Sequence, residues 1–353
     1  SGARGRGGTV GGGGFGNLMD ILLAQPRGFC AGVVRAVGIV EHALKLYGAP
    51  VYVFHEIVHN RHVVEDLRSR GVVFVDDLEA VPAGAVAIFS AHGVSDAVVE
   101  QARQRELRVV DATCPLVAKV HLQAQRYARL GYDVVVVGHR GHEEVEGTIG
   151  SVRGPVHLVS GLADVATLEV ADPERVAYVT QTTLSLDDTR AIIAQLRHRF
   201  PRIEGPGVDD ICYATQNRQN AVRDMLPHVD LVLVVGARNS SNSNRLRELA
   251  SERGVPAYLV EDEADIDPAW LQGVHSLGLT SGASAPEVLV TRVCERLQAL
   301  GAGTIRQLPG LRETVKFRLP SMPARREPAI KAETVVRPAG TDRAGVRATA
   351  VNR

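Results

Sequence analysis

Three of the four cysteines stand where thiolate chemistry is possible. Cys30 lies in Arg-Gly-Phe-Cys-Ala-Gly, Cys114 in Ala-Thr-Cys-Pro and Cys212 in Asp-Ile-Cys-Tyr-Ala-Thr, each directly before a run with helical periodicity. A helix N-terminus stabilises a thiolate through its unpaired N–H groups and its dipole, and thiolates bind metals. Three converging thiolates suit a zinc ion with an open fourth position, or an iron–sulfur cluster in which one iron lacks a protein ligand. Zinc offers Lewis acidity alone, whereas a cluster also delivers electrons, and spacing does not separate the two. The plainer alternative is three unrelated buried thiols. Cys294, inside the amphipathic pattern Val-Leu-Val-Thr-Arg-Val-Cys-Glu-Arg-Leu, reads as a core residue. With no CxxC spacing and no hydrophobic leader, a disulfide framework is a poor reading and a reducing cytoplasmic location the expected one.

A second set of residues suits an anion. His59, His92 and His142 fall in polar segments outside the periodic runs, whereas His55, His62, His121 and His139 read as structural. Ser240, Ser241 and Asn242 follow the apolar run 231–235 and open a helical pattern, and Ser284 repeats that placement in Gly-Ala-Ser-Ala-Pro. Hydroxyl, amide and backbone donors at helix starts bind phosphate. Simple N-capping explains any one loop, but Asn-Ser-Ser-Asn-Ser-Asn exceeds what a cap requires. The expectation is a phosphate or diphosphate pocket built without a Walker lysine or a GxGxxG fingerprint. Glu144 and Thr182 could relay a proton to a substrate oxygen, with Glu143 and Glu146 as competing acids.

The elements that must position these residues follow an α/β rhythm. Short β-branched runs, such as 51–53, 134–137 and 231–235, alternate with helical patterns at 31–46, 116–130 and 186–200. Such helices are long enough for right-handed crossovers onto a parallel sheet. The polar clusters come directly after the strand runs, and open parallel sheets bind ligands beyond the carboxyl ends of their strands. The cysteines are 84 and 98 residues apart, each at a strand-to-helix junction. The fold expected is therefore three similar α/β domains with parallel sheets in a pseudo-threefold arrangement around a central site, over residues 18–113, 114–208 and 209–318. Residues 1–17, with nine glycines, read as a disordered leader, and 319–353 as a flexible, mildly basic tail.

Composition sets the outer limits. The chain has 353 residues, as many basic as acidic side chains and 4% aromatic residues. Zero formal charge and the lack of a basic stripe argue against nucleic acid, and no apolar run approaches a membrane span.

The segments Pro-Arg-Gly-Phe-Cys-Ala-Gly, His-Glu-Ile-Val-His-Asn-Arg, Phe-Ser-Ala-His-Gly-Val-Ser, Asp-Ala-Thr-Cys-Pro-Leu-Val, Glu-Val-Glu-Gly-Thr, Gln-Thr-Thr-Leu-Ser, Asp-Asp-Ile-Cys-Tyr-Ala-Thr and Asn-Ser-Ser-Asn-Ser-Asn-Arg-Leu occur in this order. Together they closely resemble the 4-hydroxy-3-methylbut-2-enyl diphosphate reductase family over about residues 19 to 318. The resemblance implies the last step of the methylerythritol phosphate route to isoprenoids, in which the allylic hydroxyl is removed reductively to give isopentenyl and dimethylallyl diphosphate. It implies that Cys30, Cys114 and Cys212 hold a [4Fe–4S] cluster, seen as [3Fe–4S] after oxidation, with the fourth iron left for substrate. It implies further that His59, His92, His142, Ser240, Ser241, Asn242 and Ser284 bind the diphosphate, that Thr182 and Glu144 stand beside the allylic hydroxyl, and that a ferredoxin or flavodoxin supplies electrons. Glu143 departs from the family, which frequently has proline there, so a less rigid loop before Glu144 is expected. Two other classes compete: a zinc-dependent phosphoester hydrolase using the same thiolates, and a regulatory protein that senses through a labile cluster.

Overall fold

The computed structural model describes residues 19–206 and 210–323; the expected leader over 1–17 and the tail beyond 323 lie outside the described residues. The chain lays down β1 (Met19–Leu23), β2 (Val51–Phe54), β3 (Val72–Val75), β4 (Val86–Phe89), β5 (Arg108–Asp111) and β6 (Asp133–Val137). It continues with β7 (Val156–Val159), β8 (Val176–Thr180), β9 (Leu231–Val235), β10 (Ala257–Val260), β11 (Ser276–Ser281) and β12 (Ala302–Gln307). Among the described residues these form three parallel sheets, ordered β3-β2-β4-β5, β7-β6-β8 and β10-β9-β11-β1-β12. Central strands β6 and β9 are buried throughout, so their valine and leucine runs are continuous rather than alternating, as strands covered by helices on both faces require.

The expected unit 18–113 departs from the sheets at its start. β1 does not join β2–β5: it pairs with β11 and β12 at the far end of the chain, with Ile21 fully buried between them. A short apolar run carries no information about which sheet it enters, so local pattern alone assigned it to its neighbours in sequence.

This placement of β1 explains what the cysteines mark. After β1 the chain reaches Cys30, and the helix Ala31–Tyr47 buries Ala36, Ile39 and Val40 against β2 and β4 of the next sheet. After β5 comes Cys114, and the helix Pro115–Arg129 packs Val120, Ala124 and Tyr127 on β6 and β8. Beyond a parallel bridge between Glu204 and Ala177 of β8 comes Cys212, and the helix Tyr213–Met225 packs Val222 and Met225 on β1 and β9. Each cysteine thus stands where the chain leaves one sheet for the next, and the third crossing returns to the first strand.

After β12 the chain continues without helix or strand to residue 323. The first residues of the expected tail are anchored, since Met322 packs on the core around β2 and the Tyr47 hydroxyl donates to Pro323 O at 2.6 Å. No described helix is long and apolar enough to cross a membrane.

Candidate active site

The three sheet crossings build one centre. Cys30, Cys114 and Cys212 are the N-caps of the helices they precede, and all are free thiols. Their backbone N–H groups repeat one bond. Cys30 donates to Ala283 O at 3.1 Å, Cys114 to Ala91 O at 2.9 Å and Cys212 to Thr182 O at 3.0 Å. The acceptors lie just beyond β11, β4 and β8, so each cysteine is pinned to a loop at a strand's carboxyl end. Gly32 makes room for the sulfurs, because a Cβ there would lie 2.7 Å from Cys114 Sγ and 3.7 Å from Cys30 Sγ. Burial pushes the Cys114 thiol up to about 12 and the Cys212 thiol up to about 11, with the neighbouring cysteines adding to both. A cationic group between the sulfurs would relieve that mutual repulsion and couple its binding to proton release.

Around this centre all twelve sequence-selected residues line a single pocket. No lysine or arginine is among the lining residues, so an anion must be met by other donors. Helix N-termini supply part of that role. His142 caps the helix Glu143–Gly150, its Nδ1 accepting from Glu144 N at 3.1 Å, and Ser240 caps Ser241–Glu252. With Nδ1 used as an acceptor, a neutral His142 carries its proton on Nε2 and is a donor. Burial, reinforced by His92 and His59, holds His142 down at about 3, and burial with His92 also lowers His59. The three rings form one group, with His59 and His92 stacked at 4.0 Å and His142 edge-on to both. Ser241 Oγ accepts from Thr183 Oγ1 at 3.1 Å, while Ser284 Oγ donates to His59 O at 2.9 Å. Asn242 is 4% exposed, yet both its amide nitrogen and its carbonyl oxygen lack a partner. A buried carboxamide left unpaired costs about 1–3 kcal/mol, which a polar ligand in the pocket would recover.

The acid of the pocket is Glu144, 2% exposed. Thr182 donates to it twice, from its backbone N–H to Oε1 at 2.6 Å and from Oγ1 to Oε2 at 2.9 Å. Burial pushes the carboxyl up to about 7, against the two Thr182 bonds and with Asp210 assisting. When Glu144 is protonated its O–H can donate to Thr182 Oγ1, which frees the threonine proton for a substrate oxygen. Glu143, where a looser loop was expected, is instead tied to His92 Nδ1 at 2.7 Å. Burial acts to raise Glu143, but the bond and charge of His92, with His59 and His55, outweigh it and hold the carboxyl at about 2.

Sequence reasoning passed over two contacts. Thr215 donates its N–H to Cys212 Sγ at 3.4 Å and places its hydroxyl 3.3 Å from the same sulfur, and Thr183 joins the Ser241 network. Thr215 had a signal, since it stands three residues after an N-cap, where the capped N–H belongs. Cys294 is buried in the core around β9 and β11, as its helical pattern predicts.

Fold and site define a class: α/β proteins of three parallel sheets whose crossings bring three thiols, a pocket lined without lysine or arginine and a protonatable carboxyl to one place. Known proteins are similar to this chain over most of its length. The family described as LytB protein matches residues 21–298. The 4-hydroxy-3-methylbut-2-enyl diphosphate reductase of Azoarcus sp. is 62% identical over 301 residues, covering 85% of this chain and 96% of the relative. That of Zymomonas mobilis is 56% identical over 303 residues, covering 86% and 89%. Among solved structures, the E-1-hydroxy-2-methyl-but-2-enyl-4-diphosphate reductase from Plasmodium falciparum is similar with a TM-score of 0.83 at 40% identity, covering 86% of this chain and 96% of that one. The chain belongs to the LytB family.

Proposed function

We infer that the protein is a 4-hydroxy-3-methylbut-2-enyl diphosphate reductase, removing the allylic hydroxyl of its substrate to give isopentenyl and dimethylallyl diphosphate at the end of the non-mevalonate pathway. The observation that carries this reading is the meeting of three free thiols, the unpaired Asn242 carboxamide and the Glu144–Thr182 pair in one pocket.

Cys30, Cys114 and Cys212 would hold a [4Fe–4S] cluster. Membership of a family whose named relatives are reductases supports a cluster over zinc, because zinc has no redox chemistry. When bound, the cluster supplies electrons one at a time and an iron free of protein ligands. A ferredoxin or flavodoxin in a reducing cytoplasm is the fitting donor, since the chain carries no nucleotide-cofactor fingerprint.

The chain's own residues do the rest. His142 Nε2–H, the Ser240 and Ser241 helix start and Asn242 bind the diphosphate, with His59, His92 and Ser284 closing its other side. That fixes the allylic end toward the sulfurs. Thr182 Oγ1 bonds the hydroxyl oxygen, and Glu144, titrating near neutrality, passes the proton through Thr182 so that the oxygen leaves as water. Buried apolar residues of the lining, Ala91 and Val117 among them, keep competing water from the reacting carbon.

Iron and acid-labile sulfide counts on anaerobically purified protein test the reading. About four of each per chain are expected for this cluster type, with substrate turnover that requires a reductant. Stoichiometric zinc without sulfide would sink it.

A further inference from the structure

Residues 308–323 cross the surface as an extended strap that is pinned at its ends by Leu308 N–H to Leu23 O and the Tyr47 hydroxyl to Pro323 O, and whose contacts between those ends, at Glu313 and Arg318, reach helices that cysteines cap. Arg218, on the helix that Cys212 caps, is fully buried. It donates to Gly28 O, two residues before Cys30, at 3.2 Å from Nε and 2.7 Å from Nη2, and to Ala214 O, two residues after Cys212, at 2.9 Å. A buried guanidinium needs a counter-charge, because breaking such a pair leaves an uncompensated charge in the interior. The strap supplies it. Both Glu313 carboxylate oxygens face Arg218, at 3.0 Å and 3.3 Å, and Oε1 also accepts from Asn217 at 3.0 Å.

A second arginine repeats the arrangement on the remaining cysteine. Arg35, on the helix that Cys30 caps, donates Nη1 to Ala112 O at 3.2 Å and to Thr113 O, immediately before Cys114, at 2.9 Å. Its Nε is held by the strap, donating to Arg318 O at 2.9 Å. Two guanidinium forks therefore join all three cysteine segments, and the strap sets the orientation of both. A planar fork with five fixed donors suits this, since its bonds are lost together when the plane rotates.

We propose that the strap, through Glu313 and the Arg318 carbonyl, makes Arg218 and Arg35 positioning residues that hold the three thiolates at the spacing the cluster requires. The proposal rests on the reading of Cys30, Cys114 and Cys212 as cluster ligands. None of these strap contacts reaches the diphosphate pocket lining, so the effect falls on the metal centre rather than on substrate binding. Groups that orient metal ligands from outside typically change metal affinity or activity by roughly 10- to 100-fold when removed.

The test uses full-length, anaerobically reconstituted holoenzyme carrying Glu313→Gln or Arg35→Gln, with Tyr47→Phe as the comparison. Tyr47 anchors the end of the strap at Pro323 but bonds no cysteine segment. Three quantities are measured: the rate of iron transfer to a ferrous chelator, the low-temperature EPR spectrum of the reduced cluster, and the melting of each apoprotein. Glu313→Gln and Arg35→Gln are expected to release iron roughly 10- to 100-fold faster with an altered EPR signal, while Tyr47→Phe matches the wild type. Wild-type release rates and spectra in both variants would overturn the proposal. So would equal acceleration in Tyr47→Phe, which would make the strap a general brace. Should Arg35→Gln fail to fold, Glu313→Gln decides alone, because its amide keeps the shape of the acid. Wild-type protein that takes up no iron and sulfide would instead remove the cluster reading beneath the proposal.

Discussion

At Glu144, the burial that costs stability is the same burial that makes the carboxyl a usable acid. Its folded value of about 7 exceeds the ordinary 4.5, so between these pH values the unfolded chain has released a proton that the folded chain retains. Stability from this group is full below about pH 4.5, falls as pH rises through that window and levels off above about 7. Glu144→Gln removes the titration. The variant's melting temperature should gain on the wild type as pH goes from 5 to 8, and a constant difference would mean that the acid is not perturbed. The same variant should keep substrate affinity and lose most of its reduction rate, by roughly 100-fold or more for a lost proton donor, in single-turnover kinetics. Asn242→Ala should do the reverse. Its two amide atoms have no partner within the protein and are free for substrate, so KM should rise about tenfold, from one hydrogen bond of about 1–1.5 kcal/mol, with cluster content unchanged. Asn242 was legible in the sequence because Asn-Ser-Ser-Asn-Ser-Asn exceeds what a cap requires, whereas local pattern left Glu144 in competition with Glu143 and Glu146 and the family resemblance chose between them. The Glu143–His92 pair was not legible, since its partners come from loops after different strands and no local spacing relates them.

Helices do at their first residues what charged side chains do elsewhere. Cys30, Cys114, His142, Cys212 and Ser240 are all N-caps, so five positive helix ends converge on one pocket, and none of that field needs lysine. The first turn of Ala31–Tyr47 gives a clear separation of fold from function. At Gly32→Ala the new methyl favours the helix by up to about 1 kcal/mol. It also lies 2.7 Å from Cys114 Sγ, which can rotate away as a free thiol but not as a ligand. The apoprotein should therefore melt no lower than wild type while the purified protein has lost most of its iron and sulfide; full cluster content would show that the sulfurs do not converge at Gly32. Strand and helix positions were legible because valine runs and amphipathic runs have different periods. The sheet that β1 joins was not, since a short apolar run such as Ile21-Leu22-Leu23 looks alike beside β2 or beside β11.

At the scale of the whole molecule, the described residues form three sheets that share one pocket, and none of the sheets holds the site alone. The cysteine spacing made three parallel sheets legible, but not that each cysteine marks a crossing, because that depends on which sheet each following helix covers. The pocket lining is divided in the same way. His59 and His92 come from loops around the β2–β5 sheet, His142 and Thr182 from loops of the β6–β8 sheet, Asn242 from the first turn of the helix after β9, and Ser284 from the loop after β11. An anion bound there must tie the sheets together, and one that prefers the folded state adds about 2.7 kcal/mol at a hundredfold excess over its Kd. Hydrogen exchange of the holoenzyme with and without inorganic diphosphate reads this directly. Protection is expected together at the amides of residues 59–60, 142–146 and 240–244, although they belong to three sheets. Protection confined to 240–244 would reduce the site to one capped helix, and the histidines would then serve the fold rather than the ligand. Since the chain is neutral overall and the pocket has no fixed cation, that protection should also survive added salt better than binding by a lysine cluster would.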